Sequence, residues 1–478
     1  MDLAPLIDRR DELARLQNLW EDVARRRAAR LVVVHGRRQV GKTFLLTHLV
    51  RRIATTGGRA VLATAISGAS TRQQLDGLAD AIARQLPEEG PLLPDRFADW
   101  PAALGWLVAV AESTPLAVVL DEVPWYIDTT RTWPSHLQVA WDELRRRRRP
   151  PPLLLVLTGS AVATMRRLID GRGAMFGRAD EEVAVEPFDL PSAAQFLEEA
   201  PAETVLEAYA ACGGYPLHLR AWDPTSTTEQ NLHRLVATPG GLLAHAGERM
   251  LADLPDQGGH LAVLHAIGSG QHRRVDITAQ AGQRVERPVE LLTRAGLVRV
   301  DRPLGTPDRT PGRYELTDTY LRGWYELCWA DLGLIDGGQG GAVLARRWPR
   351  WQRHLGWVFE EQARAHAFRL ASSGRLPHTA VYGRWWSTSG PQVEVDVLGL
   401  AGNRAVVVGE AKWSALPLDA RGLADLRRRV SLVPDPVPDV HLAYWSRGPV
   451  NRDVIDAGVA AFGPYDMVGD MAGDMAGD

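Results

Sequence analysis

Lysine is almost missing from this chain of 478 residues: of its 55 lysines and arginines, only Lys42 and Lys412 are lysines. Cysteine is equally scarce, and Cys212 and Cys328 stand alone. Two isolated thiols exclude a disulfide framework or a cysteine-based metal site, and a reduced intracellular setting is expected. No apolar run approaches the roughly 18 residues that a membrane span needs. The opening stretch MDLAPLIDRRDEL is charged and has no signal-peptide pattern. A cytoplasmic protein with no membrane partner is therefore expected. The net charge of −3 excludes a broadly basic protein that coats nucleic acid, though local basic patches remain open.

What is present is modular. The length suggests about three domains, and the two lysines fall in separate ones. Arginine is a planar fork with a permanent charge, whereas lysine is a compact ammonium on a thin stem that reaches a single phosphate oxygen or water. Chemistry that needs a point charge would keep lysine where everything else became arginine.

Lys42 lies in GRRQVGKT, which comprises Gly36, Arg37, Arg38, Gln39, Val40, Gly41, Lys42 and Thr43. The stretch fits G-x-x-x-x-G-K-[ST] and follows the apolar run LVVVH, so it reads as strand, phosphate loop, helix. The loop cradles the phosphates of ATP, Lys42 bridges them, and the Thr43 hydroxyl ligates Mg²⁺. A second buried strand, PLAVVLDEVPWY, ends in Asp121 and Glu122: the first is a metal-side acid and the second the candidate catalytic base. A third, PPLLLVLTGSA, ends in Thr158, Gly159 and Ser160, where either a γ-phosphate sensor or a plain strand-ending turn would stand. Arg178 is either an arginine finger, acting in cis or from a second copy of the chain, or a solvated surface arginine.

Residues 245–330 read as three helices and two strands around RPLGTPDRTPGR, a winged-helix pattern. Arg284, Arg287 and Arg294 lie on or near its third helix, and Arg299, Arg302, Arg309 and Arg313 lie along the wing. These would contact DNA phosphate and groove; a module used only for packing or dimerisation is the alternative.

Residues 350–462 return to mixed α/β. HLGWVFEEQARAHAFRL reads as an amphipathic helix carrying Glu360 and Glu361. VEVDVLGL and RAVVVGEAKWS read as a hairpin that brings Asp396 near Glu410, with Lys412 two residues on and so on the same strand face. Two carboxylates and a lysine on one face form a Mg²⁺ or Mn²⁺ site in which the lysine activates water beside a phosphate. An ordinary hairpin ion pair is the alternative, and arginine would serve it as well.

The segments LIDRRDELARL, GRRQVGKT, VVLDEVPW, LTGSAVATM, MFGRADEEVAVEPF and CGGYPLHL come in an order that resembles the archaeal-type P-loop ATPases of the STAND group, relatives of the AAA+ class. The resemblance implies that Arg9 lies near the nucleotide, that Ser160 is the sensor, that Arg178 belongs to a Gly-Arg element, and that Gly213, Gly214 and Pro216 mark a helical lid. Asp396 with GEAK resembles the PD-(D/E)xK nucleases, and the surrounding block resembles the domain of unknown function 234. The nuclease resemblance implies Glu360 as a further metal-side acid.

The expected architecture is α/β. A P-loop NTPase core spans residues 1–190, a helical lid 191–240, a winged helix 245–330 and a restriction-endonuclease-like domain 350–462, followed by a disordered tail over 463–478. The expected function is that of an ATP-binding and ATP-hydrolysing protein that acts on DNA as an ATP-regulated, metal-dependent endonuclease, in defence or on mobile elements. A signalling or scaffold NTPase that binds DNA or a partner without cleavage is the second reading. ATP and DNA are the expected partners, and a homo-oligomer stays open.

Overall fold

The computed structural model describes residues 4–252, 254, 259–378, 381–388 and 392–469. The chain divides into two compact units, Met1–Pro187 and Phe188–Asp478. Among the described residues, no helix is long and apolar enough to cross a membrane.

The first unit is built on five parallel strands: β1 (Ala29–His35), β2 (Arg59–Thr64), β3 (Leu116–Asp121), β4 (Leu153–Gly159) and β5 (Glu181–Ala184). Their order is β2-β3-β4-β1-β5. Every residue of β3 and β4 is buried, which is why these strands read as continuous apolar runs rather than alternating ones. Leu31, Val33, Val118, Leu120, Leu155 and Leu157 face a core shared with the helices Thr71–Gln85, Trp100–Ser113 and Trp133–Arg146. Val32, Val34, Val119 and Val156 are buried on the opposite face. In-register parallel pairing, with His35 opposite Gly159 and Thr64 opposite Asp121, sets the carboxyl ends of β1 to β4 along one edge.

The second unit starts with short helices, Leu190–Ala194, Ala202–Cys212, Pro216–Ala221, Thr228–Leu235 and Leu242–Leu251. The helices His260–Gly268, Arg274–Ala281 and Glu286–Arg294 follow, then an antiparallel hairpin of β6 (Val298–Asp301) and β7 (Arg313–Leu316). A helix of 33 residues, Gly340–Ser372, leads into a mixed sheet. Its strands are β8 (Val381–Trp386), β9 (Glu394–Ala401), β10 (Arg404–Lys412), β11 (Pro436–Ser446) and β12 (Ala460–Phe462), in the order β12-β11-β10-β9-β8. β8, β9 and β10 pair antiparallel, whereas β11 and β12 run parallel to β10. The helix Ala420–Val430 lays Leu423 and Leu426 on this sheet.

Two expectations need correction. The tail expected to be disordered from 463 onward begins with a helix, Pro464–Gly469, whose Met467 is fully buried. Pro464 opens that helix, Asp466 accepts from the Gly463 N–H, and Arg369 donates to the Met467 carbonyl. Residues 470–478 lie outside the described residues. The second correction concerns the hairpin arginines. Arg299 is bound between Glu361 (2.9 Å) and Glu315 (3.1 Å), and Arg313 pairs with Glu394 and stands 4.4 Å from the Trp386 ring centroid. The β6–β7 hairpin is thus fastened to the C-terminal sheet, where Arg384 reaches Asp301 and Glu315, each at 2.5 Å, and the Leu304 N–H donates to the Arg384 carbonyl. Carboxylates of the long helix and of β7 and β9 hold these part-exposed arginines away from a free solvent face.

Within this network Glu315 is only 4% exposed, and removing Arg384 would leave its buried carboxylate to Arg299 alone. Arg384→Ala is expected to cost the second unit about 3–5 kcal/mol, measured as a lower urea midpoint by tryptophan fluorescence. A loss below about 1 kcal/mol, the range of exposed pairs, would mean that the network is solvated.

Candidate nucleotide site and C-terminal acid cleft

The phosphate loop joins β1 to the helix Lys42–Thr55. A Cβ on Gly36 would stand 2.1 Å from the Val185 carbonyl oxygen, so only glycine lets the loop leave the sheet there. Gln39 adopts φ 67°, a left-handed turn that folds the loop back on itself. The Lys42 ammonium, 4% exposed, donates to the carbonyls of Gly36 (2.9 Å) and Arg37 (3.0 Å) and to the Ser160 hydroxyl (2.9 Å). Arg9 braces the outside of the loop by donating to the carbonyls of Val40 and Glu186. Arg38 stands 6.0 Å from the Trp125 ring centroid.

Opposite the loop, the Thr43 hydroxyl donates to Asp121 at 2.8 Å. Burial raises the Asp121 carboxyl above its ordinary value; the Thr43 bond works the other way, and the Glu122 charge adds to the rise. Glu122 adopts φ 55°, uncommon for a residue with a side chain, and caps the helix Val123–Thr129. Both of its carboxylate oxygens are held by Ser160, one by the hydroxyl (2.5 Å) and one by the backbone N–H (3.1 Å). Gly159 makes this approach feasible, since a Cβ there would lie 2.5 Å from a Pro124 ring carbon. Lys42, Ser160 and Glu122 therefore form one hydrogen-bonded chain, and Thr43 joins Asp121 beside it. A hydroxyl and a carboxylate converging in this way fit a magnesium ion, with Thr43 and Asp121 as its holders. Arg178 is not drawn into this group. Its guanidinium forks onto Asp142 (2.7 and 2.8 Å), and that pairing lowers the Asp142 carboxyl.

The second group sits on the C-terminal sheet. Glu360, Asp396, Glu410 and Lys412 line one cleft of about 310 Å³ together with Gln392, Glu394, Arg428 and Arg429. The β9–β10 hairpin brings Asp396 beside the Ala411 N–H, which donates to it at 3.0 Å. Lys412 pairs with Glu410 at 2.5 Å and lies 4.0 Å from Asp396. Burial works against the Lys412 charge, yet the two acids outweigh it and raise its pKa. Burial, reinforced by Asp396, pushes Glu360 up to about 8, and the same two causes raise Glu410. The sequence motif did not reveal Arg429, whose guanidinium takes the second oxygen of Glu410. Its signal lay in the apolar spacing of Leu423 and Leu426, which makes 420–430 a helix lying on the sheet and brings Arg429 to the cleft.

This arrangement does not suit the three-acid metal set expected of Glu360, Asp396 and Glu410. Among the described residues, no three His, Cys, Asp or Glu side chains are grouped to hold an ion. The reason is local: Glu410 is paired with Lys412 and Arg429, and Asp396 accepts from the Ala411 N–H. Of the nominated DNA contacts, Arg284, Arg287 and Arg309 are exposed, Arg294 is exposed and paired with Glu290 (2.6 Å), and Arg302 is turned inward onto the Thr310 carbonyl (3.0 Å).

Comparison with known proteins gives two family matches, the AAA ATPase domain over residues 5–157 and, over residues 324–422, the domain of unknown function 234, described as "Archaea bacterial proteins of unknown function". No curated protein matches the chain. Among solved structures, the Walker-type ATPase of Pyrococcus abyssi aligns over 68% of this chain and 99% of its own, at 19% identity and a TM-score of 0.49. The ORC2 protein of Aeropyrum pernix, in ADPNP–ADP complexes, aligns over 71% and 95%, at 14% identity and a TM-score of 0.42. The ORC1 protein of the same organism, in complex with DNA, aligns over 72% and 95%, at 15% identity and a TM-score of 0.37. The phosphate loop, Asp121 and Glu122 thus lie within the stretch that matches the AAA ATPase domain, and the helix and hairpin of the acid cleft lie within the stretch that matches the domain of unknown function 234.

Proposed function

We propose that this protein binds and hydrolyses ATP in its first unit and acts on DNA through its second, with the C-terminal cleft as a phosphodiester-cleaving site. The observation that carries the ATPase reading is the chain of contacts Lys42–Ser160–Glu122 beside Thr43–Asp121. Backbone N–H groups of the loop and the start of the helix Lys42–Thr55 receive the phosphates. Lys42 exchanges its carbonyl partners for phosphate oxygens, and Glu122 orients the attacking water. Magnesium, when bound, would neutralise charge on the transferred phosphoryl group. Arg178 remains a residue that a neighbouring copy could receive in trans, at the cost of its pair with Asp142.

The nuclease reading is supported by the convergence of Glu360, Asp396, Glu410 and Lys412, which come from one helix and two strands, in one cleft. Unaided, the cleft offers a half-exposed ammonium at Lys412 and the guanidinium of Arg428 to an incoming phosphate. The second reading, a scaffold that engages DNA without cutting, is favoured by one specific observation, the pairing of Glu410 with two cations. Of the winged-helix surface, Arg284 and Arg287 support a DNA contact best, since both are exposed while Arg299 and Arg313 are tied to acids.

Lys42→Ala is expected to abolish binding of a fluorescent ATP analogue, whereas Glu122→Gln should bind it and stall phosphate release. Turnover by Glu122→Gln at the wild-type rate would exclude that carboxylate as the base. Double replacement of Arg284 and Arg287 by alanine should weaken duplex binding and flatten its salt dependence by about two in the log–log slope; unchanged affinity would assign this module to packing. In a plasmid assay with ATP and Mg²⁺ or Mn²⁺, wild type should nick DNA, while Lys412→Ala and Lys412→Arg should both fail, because a guanidinium would fork onto Glu410. Equal cutting by wild type and Lys412→Arg would remove the lysine from the chemistry.

A further inference from the structure

Arg299, Arg364 and Arg384 are each tied to a carboxylate. Arg322, on the helix Thr319–Leu327, is not. Its side chain forms no hydrogen bond or ion pair among the described residues, and its Nε is buried without an acceptor. The guanidinium stands instead 4.2 Å from the ring centroid of Trp357, a residue only 8% exposed on the long helix. Burial presses the Arg322 pKa below the ordinary arginine value; Glu315, Glu326 and Glu361 act against this from a distance, and Arg384 adds to the fall. Each of those acids is already committed to another guanidinium: Glu315 to Arg299 and Arg384, Glu361 to Arg299 and Arg364, and Glu326 to Arg350 at 3.7 Å. Glu326 lies one turn beyond Arg322, where a helix partner would ordinarily be found, yet it turns to the long helix. A part-buried cation with no acceptor is costly, and native folds seldom leave one without a ligand.

We propose that Arg322, held on Trp357, is a binding site for a phosphate group from outside the chain. Neither residue lines the acid cleft, so the site stands whether or not that cleft cuts DNA. The indole face fixes the plane of the guanidinium. Nε points into the protein, and the head of the part-buried side chain stays open to solvent. Its two outer nitrogens then present parallel N–H donors, which match two oxygens of one phosphate, and the low access to water strengthens the pairing. Arg353 stands one turn before Trp357 on the same face of the long helix, is exposed and has no partner among the described residues. It supplies a second positive charge at the mouth of the site. Two cations favour phosphate over a single carboxylate, because phosphate is largely a dianion when free and part of a polyanion in nucleic acid. A backbone phosphate and inorganic phosphate offer the same oxygens.

The test uses the full chain carrying Lys42→Ala, so that the phosphate loop contributes nothing. Inorganic phosphate is titrated calorimetrically at constant ionic strength, and a labelled short duplex is titrated by fluorescence anisotropy in phosphate-free buffer. Adding Arg322→Gln, which keeps the bulk but not the charged fork, should weaken phosphate binding about tenfold, the worth of a hydrogen bond to a charged group. Trp357→Phe keeps the aromatic platform and should bind phosphate as the parent does. If duplex binding falls with phosphate binding in Arg322→Gln, the ligand is a nucleic-acid backbone; if only phosphate binding falls, the ligand is the free anion. Both results uphold the site. An unchanged phosphate titration in folded Arg322→Gln would overturn it, whatever the duplex does. Should circular dichroism show that Arg322→Gln does not fold, Arg353→Ala, at an exposed position, decides: phosphate binding about threefold weaker upholds the site, and unaltered binding overturns it.

Discussion

Glu361 fixes the second unit. Burial alone would raise its carboxyl, but Arg364 and Arg299 hold it down at about 2. Arg299 comes from β6, and Arg364 also donates to the Asp396 carbonyl (2.7 Å). One carboxylate therefore ties the long helix, the β6–β7 hairpin and β9 together. Its neighbour Glu360, turned about a hundred degrees around the same helix, faces the cleft and is pushed in the opposite direction, up to about 8. Two adjacent glutamates differ because one has arginines and the other has acids for neighbours. If the Glu361 anchor slipped by one residue, the wrong carboxylate would face Asp396.

The same logic explains arginine at the hairpin contacts. The pairs that fasten the hairpin are two-pronged, as at Arg384 between Asp301 and Glu315, and a lysine could not span both acids. At Lys42 and Lys412 the demand is reversed. Lys42 threads into a pocket of two carbonyls and a hydroxyl, where a planar head would not fit, and Lys412 meets one oxygen of Glu410 while its remaining donors face the cleft.

The parts that were legible in the sequence are those whose cause is local. The phosphate loop is a run of eight residues, and the partner acids sit at the ends of strands whose apolar character is continuous. The β9–β10 hairpin was legible from two apolar strands around the tight AGN turn, and the two-residue period of a strand placed Glu410 and Lys412 on one face. What escaped depends on contacts between distant segments. Arg299 and Arg313 looked like solvent-facing cations because their partners, Glu361 and Glu394, lie some sixty to eighty residues away. Arg429 looked like the end of a charged run until Glu410 appeared beside it. The helix read over HLGWVFEEQARAHAFRL starts earlier, at Gly340, and runs through Pro349, which sits on an exposed face where the carbonyl it leaves unbonded can turn to water. In the tail over 463–478 the one local signal for the helix Pro464–Gly469 is Pro464 at its start, while the burial of Met467 shows only in the fold.

That last helix has a consequence for how the protein is made. Pro464–Gly469 packs on Leu190–Ala194 and Ala202–Cys212, so the end of the second unit rests on its beginning. These contacts span more than two hundred and fifty residues and close late, since long loops must be ordered before they are rewarded. During synthesis the first unit, built from nearby strands, can fold as soon as it leaves the ribosome. The second must wait with an uncovered apolar flank on its early helices until almost the whole chain has emerged. The phosphate loop and its paired acids are thus in place well before the cleft is, and in that interval a nascent chain carries a finished first unit with no assembled acid site attached to it.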